Sequence, residues 1–345
     1  MARSDLFKAL VVDRVNDTTS AEIQYLPESR LPKGDVLVGV TYSSLNYKDG
    51  MAVTGTGKIV ARYPHVPGVD FAGRVLESDS DAFSPGDEVL LTGWGVGERH
   101  WGGYAQRARV SSDWLVHLPA GLDAKRAMTI GSAGLTAMLC VMTLEDAGIT
   151  PGSGPVVVTG AAGGVGSLAV VLLSQLGYEV AAVTGRASTH GLLRELGATL
   201  LLSRDEMSVP PRPLESQRWA GAIDVVGGVM LARVLAQTKY GGAVAATGLA
   251  GDAMLTTSVM PFILRNVSLR GTESVTTPRP LRETAWSRLS DLLPQKTYQR
   301  IAKIIALEEV KAASSAILAG EIRGRVLVDP NLLCDLAVLT AAMQE

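Results

Sequence analysis

Along the N-terminal part of the chain, apolar and polar positions alternate in short runs broken by Gly, Pro, Asn and Asp. This pattern predicts β-strands at Phe7–Val12, Ala21–Tyr25, Val36–Tyr42, Phe71–Glu77, Asp87–Thr92, Tyr104–Val110 and Trp114–His117. Residues 43–70 lack a strong period and read as a loop carrying Ser43-Ser44-Leu45-Asn46-Tyr47-Lys48-Asp49. After Pro119 the pattern changes. Leu122–Ala147 reads as a helix, and Pro151-Gly152-Ser153-Gly154 punctuates the chain. Strands are then predicted at 155–159, 179–183, 199–202, 222–226, 242–247 and 267–270, with helices at 165–176, 189–196, 228–239 and 257–265 between them. Strands alternating with helices in this way predict a doubly wound parallel sheet, whose ligand lies at the carboxyl ends of the strands. Helices at 281–293 and 296–304 follow, and Gly324–Asp329 reads as a strand returning to the first domain. The expected class is α/β, with a β-rich domain from 1–126 and 302–345 and a doubly wound domain from 127–301.

Candidate chemistry centres on Val156–Gly177, VVVTGAAGGVGSLAVVLLSQLG. A strand runs into a glycine-rich turn that opens an apolar helix, where unpaired amides and the helix dipole favour an anion. Ala161-Ala162-Gly163-Gly164-Val165-Gly166 fits the dinucleotide fingerprint G-x-G-x-x-G with alanine first. A glycine turn of an ordinary α/β domain is the plainer alternative. The next strand ends Thr184-Gly185-Arg186, without the acid that would bind a ribose 2′-hydroxyl and repel a 2′-phosphate. With Arg204 at the end of the third strand, Thr184 and Arg186 favour NADPH over NADH.

Composition narrows the picture. Of 345 residues, 47% are hydrophobic and 19% charged, as in a folded globular protein. The net charge of −2 makes no electrostatic case for nucleic acid or an anionic membrane as partner. With only Cys140 and Cys334 there is no disulfide framework, and His65, His100, His117 and His190 are scattered, so no metal site is expected. Ala127–Leu144 and Pro151–Tyr178 are long and uncharged, but the first carries four Ser and Thr residues and the second seven glycines. Both read as protein interior, and a soluble cytoplasmic protein is expected.

Several blocks carry a family resemblance: NYKD (46–49), HVPGVDFAG (65–73), VLLTGWGVGERHWGGYA (89–105), TAMLCVMTLEDAG (136–148), VMPFILRNVSLRG (259–271) and IRGRVLV (322–328). With the AAGGVG turn, they make the chain resemble the zinc-free medium-chain dehydrogenases/reductases. Within these it is most similar to the NADPH-dependent acrylyl-CoA reductase group, which has also carried a quinone oxidoreductase label. The resemblance runs from Phe7 to about Asn331; residues 332–345 lie beyond it and read as a short amphipathic helix.

It implies a GroES-like catalytic domain and a Rossmann domain with NADPH in the cleft between them, a homodimer, and reduction of acrylyl-CoA to propanoyl-CoA. It also implies cofactor contacts at Tyr47, Ala162, Gly163, Gly164, Val165, Thr184, Gly185, Arg186, Arg204, Leu249, Ile263 and Ser274. Arg325 either joins them or makes a structural salt bridge.

Where the zinc enzymes place Cys and a His-Glu pair, this chain has Asn46 and Gly68-Val69-Asp70, so hydride transfer to an activated double bond without a metal is expected. Tyr47 orients nicotinamide and substrate or donates the proton; the alternative is an aromatic that only lines the site. Asn46 hydrogen-bonds cofactor or carbonyl, or else stabilises its loop. Asp49, Trp94 and Trp101 are assigned to the substrate channel; structural roles in backbone bonding and loop packing are the alternatives. Lys48, Lys58, Arg62, Arg265 and Arg279 all qualify to meet the CoA phosphates. Two other functions fit the same residues: reduction of quinones or free enones, and non-catalytic NADPH binding.

Overall fold

The structure is a computed structural model that describes residues 6–333. Cys334 and the tail expected to be helical from there on lie outside the described residues. Two compact units form: the described residues up to Ser132 together with those from Tyr298 onward, and Ala133–Thr297.

The chain begins with β1 (Leu6–Val15), β2 (Thr18–Pro27) and β3 (Val36–Leu45), then α1 (Tyr47–Thr54). It continues through β4 (Asp70–Ser78), β5 (Glu88–Thr92), β6 (Arg107–Val110) and β7 (Leu115–His117) into α2 (Ala124–Asp146). The second unit contains β8 (Val156–Val158), α3 (Gly164–Gln175), β9 (Val180–Thr184), α4 (His190–Glu195), β10 (Leu200–Ser203) and α5 (Arg204–Met207). After these come β11 (Trp219–Asp224), α6 (Gly228–Gln237), β12 (Thr238–Ala246), α7 (Met260–Arg265), β13 (Ser268–Gly271) and α8 (Arg279–Leu292). The chain closes through α9 (Gln295–Ile301), β14 (Ala302–Ala306), α10 (Val310–Leu318) and β15 (Arg325–Asp329).

In the first unit β1 and β2 form an antiparallel pair, and a seven-stranded sheet runs β14-β15-β3-β4-β5-β7 with β6 also on β3. Alternate residues of β3, β4 and β5 (Val36, Val38, Val40, Phe71, Val75, Val89, Leu91) face one apolar core. Phe7, Leu10, Val12, Leu45, Val53 and Val328 build a second. In the second unit the sheet order β10-β9-β8-β11-β12-β13, all parallel, is that of the doubly wound dinucleotide fold. α2 is long and apolar enough to cross a membrane, but 83% of its apolar window is buried inside the protein.

Three local readings are corrected. Residues 47–54 form a helix rather than a loop. Ala302–Ala306 leaves the expected helix and pairs in parallel with β15, because Gln295–Ile301 alone is helical. Helix α10 was not anticipated.

Candidate active site

The dinucleotide turn in the second unit has the close approach its glycines suggested. Gly160 has φ +57, and the Gly163 amide closes the turn on the Gly160 carbonyl at 3.0 Å. A Cβ on Gly166 would stand 2.3 Å from the Gly160 oxygen and 2.7 Å from Ala161 Cα, so α3 and the turn meet there only without a side chain. The conformational need for glycine thus falls on Gly160, one place before the fingerprint's first position, while Ala161 is an ordinary buried residue. Gly163, Gly164 and Val165 stay accessible at the N-terminus of α3; Ala162 is buried.

At the carboxyl ends of β9 and β10 the expected arginines converge. The Arg204 guanidinium lies across Gly185: a Cβ on that glycine would meet Nε at 2.6 Å and Cζ at 2.7 Å. Thr184 is buried, with its hydroxyl shared by Thr189 (3.0 Å) and the Arg186 amide (3.2 Å). Thr184 therefore holds the turn that carries Arg186. Leu249 and Ile263 are exposed, at 61% and 72%. Leu249 lines a pocket of about 550 Å³ at the ends of β11, β12 and β13, with Gly227, Thr247, Thr272 and Glu273 among its other walls. Ser274 bonds Thr136 at 2.7 Å.

In the first unit Asn46, Asp49, Asp70, Tyr104 and Arg325 come together from four places in the sequence. Helix α2 is interrupted at Gly131 (φ 53, ψ −160), which frees backbone groups on either side. The Arg325 Nε donates to the Thr129 carbonyl (3.0 Å), and the Ser132 amide donates to Asp70 (2.8 Å). The remaining Arg325 nitrogens donate to Asn46 Oδ1 (3.2 Å) and Ser44 Oγ (2.7 Å). Asp70 also accepts from the Ser44 amide and hydroxyl and from Asn46 Nδ2. Asp49 accepts from the amides of Gly68 (3.1 Å) and Val69 (2.9 Å) and from the Asn46 amide (3.0 Å).

These bonds set three of the candidate residues inside the network. Arg325 is 2% exposed and is an internal cation, in keeping with the structural alternative. Asp49 is wholly buried and takes backbone amides rather than lining a channel. The Asn46 side-chain amide is engaged on both ends inside the network, at the start of α1. Tyr47, the first residue of α1, is 42% exposed, and its hydroxyl has no hydrogen bond among the described residues.

The Gly93–Gly103 loop docks on the same region. Lys48 Nζ meets Glu98 at 2.9 Å, joining α1 to it. The Gly103 amide donates to the Gly68 carbonyl at 2.9 Å, and a Cβ on Gly102 would stand 2.2 Å from that oxygen. The loop's glycines thus serve backbone-on-backbone packing. Trp101 packs on the Phe7 core rather than standing free in a channel, and Trp94 is half-buried with φ +57.

Electrostatics follow from burial. The Asp49 carboxyl is pushed up to about 7 by burial first and by the Asp70 charge second, against the bonds from Asn46 and Val69. Burial, then Asp49 and Asp70, also drives the Tyr104 phenol well above its ordinary range. A folded pKa above the unfolded value of about 3.9 gives stability that is present below that pH and lost as pH rises through the folded value. Thermal stability is therefore expected to fall between about pH 4 and about pH 7, and Asp49→Asn to flatten that fall. Melting curves across this range, with equal slopes in the two proteins, would contradict the assignment.

A zinc ion does not fit these residues. Among the described residues no group of three or more His, Cys, Asp or Glu is placed to hold a metal. The carboxylates nearest Asn46 already face the Arg325 guanidinium, and Cys140 is buried in α2 with its thiol pushed up to about 12 by burial. His65 is held near 4 and His100 below its ordinary value, both chiefly by burial.

A β-rich unit with a buried polar network and, in the same chain, a doubly wound unit with a dinucleotide turn define an alcohol dehydrogenase-like oxidoreductase. Residues 32–120 match the alcohol dehydrogenase GroES-like domain and residues 164–291 the zinc-binding dehydrogenase domain. The chain is 58% identical to "Probable acrylyl-CoA reductase AcuI" of Escherichia coli K12, over 94% of this chain and 100% of that one. It is 53% identical to "Acrylyl-CoA reductase AcuI" of Ruegeria pomeroyi, over 94% and 100%. The yhdH oxidoreductase of Salmonella enterica, solved in complex with NADP, superposes with a TM-score of 0.92 at 59% identity, over 93% of this chain and 99% of that one. The chain belongs to the acrylyl-CoA reductase family of the medium-chain dehydrogenases/reductases.

Proposed function

We propose that the chain is an NADPH-dependent acrylyl-CoA reductase, giving propanoyl-CoA by delivery of hydride to the β-carbon and a proton to the α-carbon. The observation that carries the cofactor choice is the pair of arginines at adjacent strand ends, one laid over Gly185, where an acid would select NADH. The thioester substrate rests on the likeness to the two AcuI reductases.

NADPH, when bound, supplies the hydride. The accessible Gly163–Val165 backbone at the start of α3 receives the diphosphate. Arg186 and Arg204 clasp the 2′-phosphate, Thr184 fixes the turn between them, and Leu249, Ile263 and Ser274 line the nicotinamide end. Hydride addition beside the thioester leaves an enolate on the substrate, which needs a hydrogen-bond donor and then a proton. Tyr47 is the residue for both tasks, since its phenol is exposed and has no partner among the described residues, whereas that of Tyr104 is buried in the network. Asn46, Asp49, Asp70 and Arg325 hold the start of α1 that carries Tyr47. A homodimer completes the reading: β13 is an edge strand, and Leu269 with nearby Val259 and Leu264 is exposed for a second copy to cover. Its place is the cytoplasm, with its two phosphorylated small molecules.

Steady-state NADPH oxidation with acrylyl-CoA and with a quinone tests the function. The proposal requires the larger kcat/KM on acrylyl-CoA; equal or better quinone turnover overturns it. Tight NADPH binding with no turnover of either would mark a binding protein.

A further inference from the structure

Of the five cations suited to a CoA phosphate, three are already engaged. Arg265 donates to the carbonyls of Glu215 (2.6 Å), Ala236 (2.9 Å) and Thr238 (3.3 Å). Arg279 is paired with Glu283 at 2.8 Å and Lys48 with Glu98 at 2.9 Å. Lys58 and Arg62 are exposed, and their side chains have no ion pair or hydrogen bond among the described residues.

They do not stand alone. The Ala61 amide donates to the Glu98 carbonyl at 2.9 Å, which sets the 58–62 segment beside Glu98 and Arg99. Arg99 is likewise exposed and unpaired among the described residues. Its guanidinium lies across Gly95, where a Cβ would meet Nε at 2.7 Å and Nη2 at 2.9 Å. Gly95 has φ +77, and its carbonyl accepts the Arg99 amide at 2.8 Å, so the loop is shaped to support that arginine. Arg204 lies over Gly185 in the same manner.

The charge balance is local. Glu98, half-buried between these segments, is paired with Lys48, and Asp49 is turned inward. This concentration of positive charge stands in a chain whose net charge is −2. It is also continuous, through Lys48, with exposed Tyr47.

We propose that Lys58, Arg62 and Arg99 form the subsite for the phosphate groups of the CoA thioester, with Lys48 pairing Glu98 next to them. This rests on the acrylyl-CoA reading. Guanidinium groups bind phosphate oxygens through paired, charge-assisted hydrogen bonds, and a field of one sign raises the local concentration of an anionic substrate.

The test compares wild type, Arg62→Ala, Arg99→Ala and Lys58→Ala on acrylyl-CoA and on acrylyl-pantetheine, the same thioester without its nucleotide. Each arginine variant should raise KM for acrylyl-CoA about tenfold with kcat unchanged. KM for NADPH and both constants for acrylyl-pantetheine should stay at wild-type values. Unchanged acrylyl-CoA kinetics, or parallel losses on both thioesters, overturn the subsite. A rise in KM for NADPH would give the patch to the cofactor and overturn it too. If wild type reduces both thioesters with equal kcat/KM, the subsite falls while the reductase stands. If wild type reduces neither, the reading beneath it falls.

Discussion

Replacing Arg186 and Arg204 together by alanine is expected to raise KM for NADPH about a hundredfold while leaving KM for NADH nearly unchanged. A charge-assisted hydrogen bond contributes about 1.5–3 kcal/mol, and the lower end applies to arginines at a solvent-accessible strand end. That is about tenfold for each residue. The asymmetry between cofactors is the informative part, because the 2′-phosphate is the only group that distinguishes them. General damage to the turn would raise both constants. Steady-state titration of each cofactor at saturating thioester decides the matter, and equal changes in both would remove the 2′-phosphate from these arginines.

Arg325→Met should destabilise the protein by about 3–5 kcal/mol, the cost of leaving buried charges without their counter-ion. Arg325 lies between Asn46, Ser44 and the Thr129 carbonyl and is the cation facing Asp70 and Asp49 in that network. A methionine fills similar volume but leaves two buried carboxyl groups unopposed and a backbone carbonyl unbonded. For a unit of this size the loss corresponds to a melting shift of about 10 °C. Lysine should recover only part of it, because a single ammonium cannot reach the three directions a guanidinium serves. If the cost is charge rather than packing, Asp70→Asn in the methionine background should restore some stability. An unchanged melting temperature for Arg325→Met would mean that the network does not hold this unit together.

The doubly wound sheet was legible because each of its strands is a short apolar run bounded by turn residues, and because the glycine turn sits between a strand and a helix. The two arginines beside the missing acid were legible for the same reason: strand ends are predictable, and a residue at a strand end points to the ligand edge. Helix α1 was not. Its hydrophobic period is weak, and it forms through tertiary contacts: the Asn46 amide bonds Asp49, and Gly50 lets it lie on α10, where a Cβ would stand 2.8 Å from Ile317. The strand at Ala302–Ala306 was hidden because five residues directly after a helix carry too little alternation to be separated from it. The buried network could not be read at all. Asn46, Asp70, Ser132 and Arg325 are far apart in the chain, and only the break at Gly131 shows why they meet. For Arg325 and Asp49 an outward reading, cofactor or channel, therefore stood beside a structural one, and both side chains face inward as the structural one has it.

Isotope transfer shows where the enzyme places the hydride and the proton. Acrylyl-CoA is reduced in ordinary water with NADPH deuterated at the transferred position of the nicotinamide, and the product is examined by NMR. Propanoyl-CoA is expected with deuterium at the β-carbon and a solvent proton at the α-carbon. Deuterium at the α-carbon, or NADPH consumed without propanoyl-CoA appearing, would contradict it.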